Sequence, residues 1–482
     1  MRPLVSRRPL LAASTACVAT LVLAACGSDG GSVASKERDP STDVAFKTCE
    51  QVTCEDSLDG AKYKILLPTK WNGTLLLYSH GYRQADAAPP DFQAPSTDPE
   101  PAPGYAEGET GLADALLGQG YALAGSAYGS NGWAVADGVK ADEDLYNYFV
   151  SEVGKPNRTY VWGDSLGGLI TQVFAEKHPD WVSGAAPLCG VLGGPVANVD
   201  LSLDVAYALK TFVNPNLKLS GFTSWDDAVQ NWVTTAKLLQ KQAANVSEGV
   251  PKILLTAALV DAPSQTGTYD GASIESQVKG YAESVLTALG YATFGRYDIE
   301  QRVGGNPADN SETDYSARVS DSERALIETV SPGATDKLLG ELAKGERVTA
   351  DAAARDAFAG TGTPTGAVQD PTITMHTAAD PLVLVQNESL FKQRYQASQS
   401  SGDLVQLYTV APSSYSESSG APYGAGHCNF TPESRLAVID LLDDWVKNGV
   451  YPGEAAIEKD MGDTSGYSPI YQPGPWPDTS VS

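Results

Sequence analysis

From residue 62 onward the chain alternates short strand-like runs with helical stretches, and this alternation constrains the fold more than any other feature. Runs rich in Leu, Val and Tyr at 63–67, 74–79, 121–126, 159–163 and 182–188 read as strands. Between them, 110–117, 137–153 and 167–178 carry helical spacing, the last closed by Pro179. Strands joined through such helices pair in parallel by right-handed crossovers. The expected class is α/β, with a mostly parallel central sheet and helices on both faces. The rhythm breaks after Gly190: 201–212, 225–241, 276–289, 320–330, 335–343 and 349–358 are mainly helical, with few strand-like runs. Residues 191–370 therefore read as an inserted, mainly helical cap. Alternation resumes with strands at 372–376 and 404–410 and helices at 382–396 and 432–447. The core would be built from 48–190 and 371–482, with the Pro-rich stretch 87–104 as a long irregular loop.

The chain has 482 residues, 33 Lys+Arg against 59 Asp+Glu, and a formal charge of −26. That balance argues against nucleic acid or an anionic membrane surface as partner, since both need clustered Lys and Arg. With 42% hydrophobic residues the chain can bury a sizeable core, so wholesale disorder is excluded. Past residue 26 no apolar stretch approaches the ~20 residues of a membrane span.

The N-terminus reads as an address. Arg2, Arg7 and Arg8 precede a mostly apolar run that ends in Leu23-Ala24-Ala25-Cys26, which is the layout of a secretory signal. The stretch resembles a bacterial lipoprotein lipobox. The resemblance implies cleavage after residue 25, lipidation of Cys26, and an extracytoplasmic protein anchored to the outer face of the cell membrane by that lipid alone. The Gly/Ser-rich residues 26–47 suit a flexible tether. Cys49, Cys54, Cys189 and Cys428 then remain in an oxidising compartment. Four cysteines allow three pairings; the short Cys49–Cys54 spacing favours a local bridge and leaves Cys189–Cys428. Zinc is the competing reading, but neither a CxxC nor an HExxH motif accompanies these residues, and no metal is expected.

The chemistry centres on Gly163-Asp164-Ser165-Leu166-Gly167, a G-x-S-x-G pentapeptide. Alone it is a weak signal. Here it follows the strand Thr159-Tyr160-Val161-Trp162 and opens a helix, the setting in which a serine nucleophile stands on a sharp strand-to-helix turn. A serine needs a base, and the chain has four histidines. His178 ends a helix before Pro179 and reads as a surface residue; His376 lies within a strand and reads as a satisfied core residue. His80 directly follows an early strand, whereas His427 sits between the last strand and the last helix. Asp380, after the strand at 372–376, is the candidate acid; Asp370 precedes that strand, and Asp380 could also cap the helix that follows it.

The order Ser165, Asp380, His427 on alternating strands and helices resembles the α/β-hydrolase superfamily, over about residues 60–190 and 370–450. The resemblance implies an α/β-hydrolase fold and a Ser165–His427–Asp380 triad. It assigns His80-Gly81 to the oxyanion loop, with the backbone N–H groups of Tyr82 and Leu166 as donors. Cys428 beside His427 is also similar to tannases and feruloyl esterases, where a disulfide ties a residue next to the nucleophile to one next to the histidine; here Asp164, not Cys, precedes Ser165. Secreted, cap-bearing serine hydrolases of high-GC Gram-positive bacteria are the nearer likeness. The expected activity is hydrolysis of a small or oligomeric carboxylic ester through an acyl-enzyme, with no cofactor. A secreted aminopeptidase would instead need an acidic pair in the cap, where Asp226, Asp227, Glu300, Asp309, Glu312 and Asp314 lie. A non-catalytic surface binding lipoprotein would need no triad.

Overall fold

The computed structural model describes residues 53–108, 110–400, 402–415 and 422–477. Signal residues 1–25, the 26–47 tether, Cys26 and Cys49 lie outside them. Eight strands form one sheet: β1 Thr53–Leu58, β2 Ala61–Leu66, β3 Thr74–Ser79, β4 Ala122–Ser126, β5 Arg158–Asp164, β6 Gly184–Leu188, β7 Thr372–Thr377 and β8 Leu404–Thr409. Their order is β1-β2-β4-β3-β5-β6-β7-β8. Only β2 runs against its neighbours; every other pair past it is parallel.

Helices α1 (Gly111–Gly118), α2 (Val135–Tyr148) and α3 (Leu166–Lys177) connect the first strands. Between β6 and β7 come α4 (Gly194–Phe212), α5 (Trp225–Ala243), α6 (Val250–Ala258), α7 (Ile274–Gly290), α8 (Arg296–Val303), α9 (Asp321–Val330), α10 (Ala334–Leu342) and α11 (Ala352–Ala359). Then follow α12 (Gln386–Ser398), α13 (Pro432–Asn448) and α14 (Glu454–Met461). This is an α/β-hydrolase fold, an open and mostly parallel sheet with a helical insertion.

The central strands read as unbroken apolar runs because both of their faces are covered. Leu75, Leu77 and Val161 turn to one side, where they pack with Leu145 of α2 and Leu169, Ile170 and Phe174 of α3. Leu76, Tyr78, Tyr160 and Trp162 turn to the other, against Leu116 of α1 and Leu436, Ile439 and Leu442 of α13. The α3 side is continuous with the insertion through Leu203 and Val205 of α4, Leu255 of α6 and Val285 of α7. The cap is therefore packed onto the sheet's core as well as joined to it by chain. No described helix is long and apolar enough to cross a membrane.

Five elements depart from the sequence expectation. The β1–β2 hairpin was not anticipated, although its turn, Asp59-Gly60 with φ of 48° and 87°, has the Asp-Gly chemistry that such hairpins use. Helix α6 is only nine residues long and mostly apolar, broken by Lys252 and Thr256 alone, and so short an apolar run is not assigned by periodicity. Helix α8 is too polar, and α14 too short, to stand out by periodicity. Finally, α12 begins at Gln386, not at 382, because Oδ1 of Asp380 accepts the N–H groups of Leu382 and Val383 at 2.8 and 2.9 Å and holds that segment as a turn.

Candidate active site

Strand β5 and helix α3 meet at Ser165, whose backbone lies at φ 61° and ψ −122°. A non-glycine residue pays for that region with strain of about 1–3 kcal/mol, which concentrates at functional sites. Its N–H is held by the Leu188 carbonyl at 2.9 Å. The turn closes this tightly only because its flanks are bare: a Cβ on Gly163 would stand 2.5 Å from the Ser79 carbonyl oxygen, and one on Gly167 would overlap it. Helix α3 starts at Leu166, so that amide belongs to the first turn, whose N–H groups have no acceptor within the helix. A Cβ built on Gly81 would lie 3.3 Å from the Ser165 Cβ and 3.9 Å from its Oγ. The His80-Gly81-Tyr82 segment thus runs past the Ser165 side chain.

His427 and Asp380 meet across 47 positions, with Nδ1 to Oδ2 at 2.7 Å. A carboxylate accepts, so Nδ1 carries the proton and Nε2 is left with its lone pair. Asp380 is buried, its Oδ1 satisfied by the two amides named above. Behind it, Nε2 of His376 lies 3.7 Å from the same Oδ2 and donates to the Val383 carbonyl at 2.8 Å. Nδ1 of His376 meets Glu388 at 3.3 Å, and Thr374 and Gln406 each donate to Glu388 at 2.7 Å. Burial opposes charge on His376, but the Glu388 bond and the Glu388 and Asp380 charges outweigh it and raise its pKa. His376 is a satisfied core residue, as its strand position predicts, and Glu388 is the partner that sequence reasoning missed.

His80 is buried, its ring stacked on Tyr128 at 3.9 Å and its Nδ1 2.7 Å from the Gly81 carbonyl oxygen. Burial, and then the Arg83 charge, push its pKa down to about 3. It stays neutral and shapes the loop. His178 is not a plain surface residue: it is partly buried against Phe174 and Trp181 at the end of α3. Asp370, half-buried before β7, takes no part in the His427 network.

Cys189 and Cys428 form a disulfide with a Cα–Cα distance of 5.5 Å. Cys428 Sγ lies 3.3 Å from Nε2 of His427, so the bridge packs directly against the imidazole. Cys54 is disulfide-bonded as well. Cys189, Cys428 and His427 also have metal-ligand spacing, but a disulfide has no thiolate to give.

Ser165 and His427 line one cleft of about 470 Å³, together with Gly81, Tyr82, Glu100 and Glu283. The irregular loop 87–104 brings Glu100 there, where it pairs with Arg83 at 3.1 Å; burial dominates and raises its pKa to about 7. A second, apolar chamber of about 80 Å³ also reaches Ser165, and Trp133 helps to line it. Tyr291 borders both, on a widened turn joining α7 to α8, and packs on Tyr82 with ring centres 5.3 Å apart. The hydroxyl of Tyr82 is buried without a hydrogen-bond partner. None of Asp226, Asp227, Glu300, Asp309, Glu312 and Asp314 lines either space. Asp227 pairs with Lys218, and Asp309 and Asp314 cap local turns.

No family model matches the chain, and no curated protein matches it. Among solved structures it is similar to feruloyl esterase B from Aspergillus oryzae, at 14% identity and a TM-score of 0.36 over 82% of this chain and 80% of that one. The rice cell wall degrading esterase LipA from Xanthomonas oryzae matches at 14% identity and a TM-score of 0.33, over 72% and 79%. Another esterase from Aspergillus oryzae matches at 13% identity and a TM-score of 0.37, over 83% and 80%.

Proposed function

We propose that this chain is a serine hydrolase that cleaves carboxylic esters through an acyl-enzyme. The observation that carries the reading is the 2.7 Å contact of His427 with Asp380 in a cleft that His427 shares with the strained Ser165. Asp380 holds the imidazole in the tautomer that leaves Nε2 free to take the Ser165 proton as Oγ attacks the carbonyl. The amides of Leu166 and Tyr82 would hold the oxyanion. His427 then returns the proton to the departing alcohol, and water releases the acid by the same steps in reverse order. Strain at a serine has no use in a binding surface, which disfavours a non-catalytic role. An ammonium would need an acidic pair from the cap, and of the described cap carboxylates only Glu283 lines the cleft, which favours esters over amino-terminal peptides. We further place the protein outside the cell, tethered by a lipid on Cys26; a double acyl chain suffices for stable anchoring.

The test is a side-by-side panel of activated esters and anilides, with fluorophosphonate labelling of the wild type and Ser165→Ala. The reading expects ester turnover and label on Ser165, with a loss on the order of 10⁴-fold or more in the variant. Near wild-type turnover by Ser165→Ala would remove it. Mass spectrometry of the mature N-terminus checks the lipid on Cys26.

A further inference from the structure

Ser165 stands where two spaces of different chemistry meet. Tyr82, Ser165, Tyr291, Pro381 and Leu382 line both and form the neck between them. Inward, under the cap, the walls are Val199, Leu201 and Val205 of α4, Val285 and Ala288 of α7, and Ile299 of α8. Outward they are Arg83, Glu100, Asp164, Thr268, Glu283 and His427. The volumes, about 80 and 470 Å³, differ almost sixfold.

The proton decides which half of an ester belongs on which side. Its leaving oxygen must be protonated by His427, and His427 lines the outer cleft and not the inner chamber. Leu166, whose amide faces the carbonyl oxygen in the proposed mechanism, lines the inner chamber and not the outer cleft. We propose that the inner chamber is the acyl site and the outer cleft the alcohol site, so that the substrates are esters of a short apolar acid with a larger polar alcohol that carries no negative charge. This rests on the serine hydrolase reading above.

Size and charge set both limits. An apolar cavity of about 150 Å³ holds one benzene ring, so the inner chamber takes roughly three carbons beyond the carbonyl. In the outer cleft Arg83 is matched by Glu100, and Asp164 by Arg435 outside the lining. Glu283, held by Thr266 at 2.9 Å, is the one cap carboxylate among the described residues lining the cleft. An anionic alcohol would meet a wall whose arginine, Arg83, is already engaged by Glu100 and which also carries Glu107 and Glu283, on a chain of formal charge −26.

The experiment measures kcat/KM for one alcohol esterified with acids from acetate to octanoate, and for acetates of neutral, cationic and anionic alcohols. The proposal expects a rise of up to about fourfold per methylene through butyrate, then a fall of at least tenfold by octanoate. Anionic alcohols should be at least tenfold the poorest. Ala288→Phe should lower the butyrate-to-acetate ratio at least tenfold, and Val285→Ala should move the optimum to longer acids, so either variant alone is informative. A flat acyl profile, or an Ala288→Phe enzyme whose selectivity changes with the alcohol instead of the acid, overturns the assignment. An enzyme that cleaves no ester at all overturns the underlying hydrolase reading, which is a different result.

Discussion

Asp164, the residue before Ser165, and Arg435, on α13, form a buried ion pair at 2.7 Å across 271 positions. The same guanidinium donates to the carbonyls of Cys428 and Phe430, each at 3.0 Å. One side chain thus ties the position before Ser165 to the position after His427. The disulfide from Cys428 to Cys189 fastens the same loop to the strand end beside Ser165. The position before Ser165 is thus held by an ion pair, and the covalent link to the His427 loop starts instead from Cys189.

Removing Arg435 should therefore cost both stability and rate. Arg435→Met leaves a buried carboxylate unpaired, a loss of about 3–5 kcal/mol, and frees the His427 loop, with a fall in kcat on the order of 10²-fold. Arg435→Lys should recover little, because one ammonium cannot reproduce the fork that reaches Asp164 and two carbonyls. Thermal melts and kcat of the two single variants and of Asp164→Asn/Arg435→Met check this. The double variant should be more stable than Arg435→Met alone.

Opening the Cys189–Cys428 bridge should lower activity more than it lowers structure. A bridge spanning 239 positions contributes at most about 5 kcal/mol in the chain-entropy model, and the folded cap reduces that. Circular dichroism and kcat of the Cys189→Ala/Cys428→Ala protein, measured in parallel, decide the point. Equal fractional losses of the two signals would contradict the prediction.

Strain at Ser165 predicts that two inactive variants will differ in stability. Ser165→Gly relieves the positive φ of 61°, and Ser165→Ala does not. The glycine variant should unfold at a higher denaturant concentration, by about 1 kcal/mol.

Asp142 supplies a pH signature. It lies on α2, fully buried, accepts the Ser79 hydroxyl at 2.6 Å, and burial raises its pKa to about 8 from an ordinary 3.8. Between those values the folded chain keeps a proton that the unfolded chain has lost. Its contribution to stability therefore falls as pH rises from about 4 to about 8, and it is level above that. Asp142→Asn removes the titration. The variant should gain on the wild type by on the order of 4 kcal/mol between pH 5 and pH 8.5, as read by chemical denaturation at the two pH values.

Much of this arrangement is written locally. The alternation of apolar runs and helical spacing sets the sheet, because side-chain periodicity needs only neighbouring residues. The Gly163-x-Ser165-x-Gly167 turn follows from sterics within five positions. The order of Asp380 and His427 after it, each beyond a strand, follows from where strands end. What the chain alone left open depends on elements brought together from far apart. Arg435 looks like any helical arginine until β5 and α13 lie side by side, and Glu388 like a helical surface acid until β7 buries it under His376. Helix α6, a run of nine mostly apolar residues, does not declare itself as a helix until the surrounding helices pack on it. The two spaces at Ser165 belong to no segment: their walls come from the sheet's loops and from α4, α7 and α8 together, and a volume between packed elements has no counterpart in the order of residues along one chain.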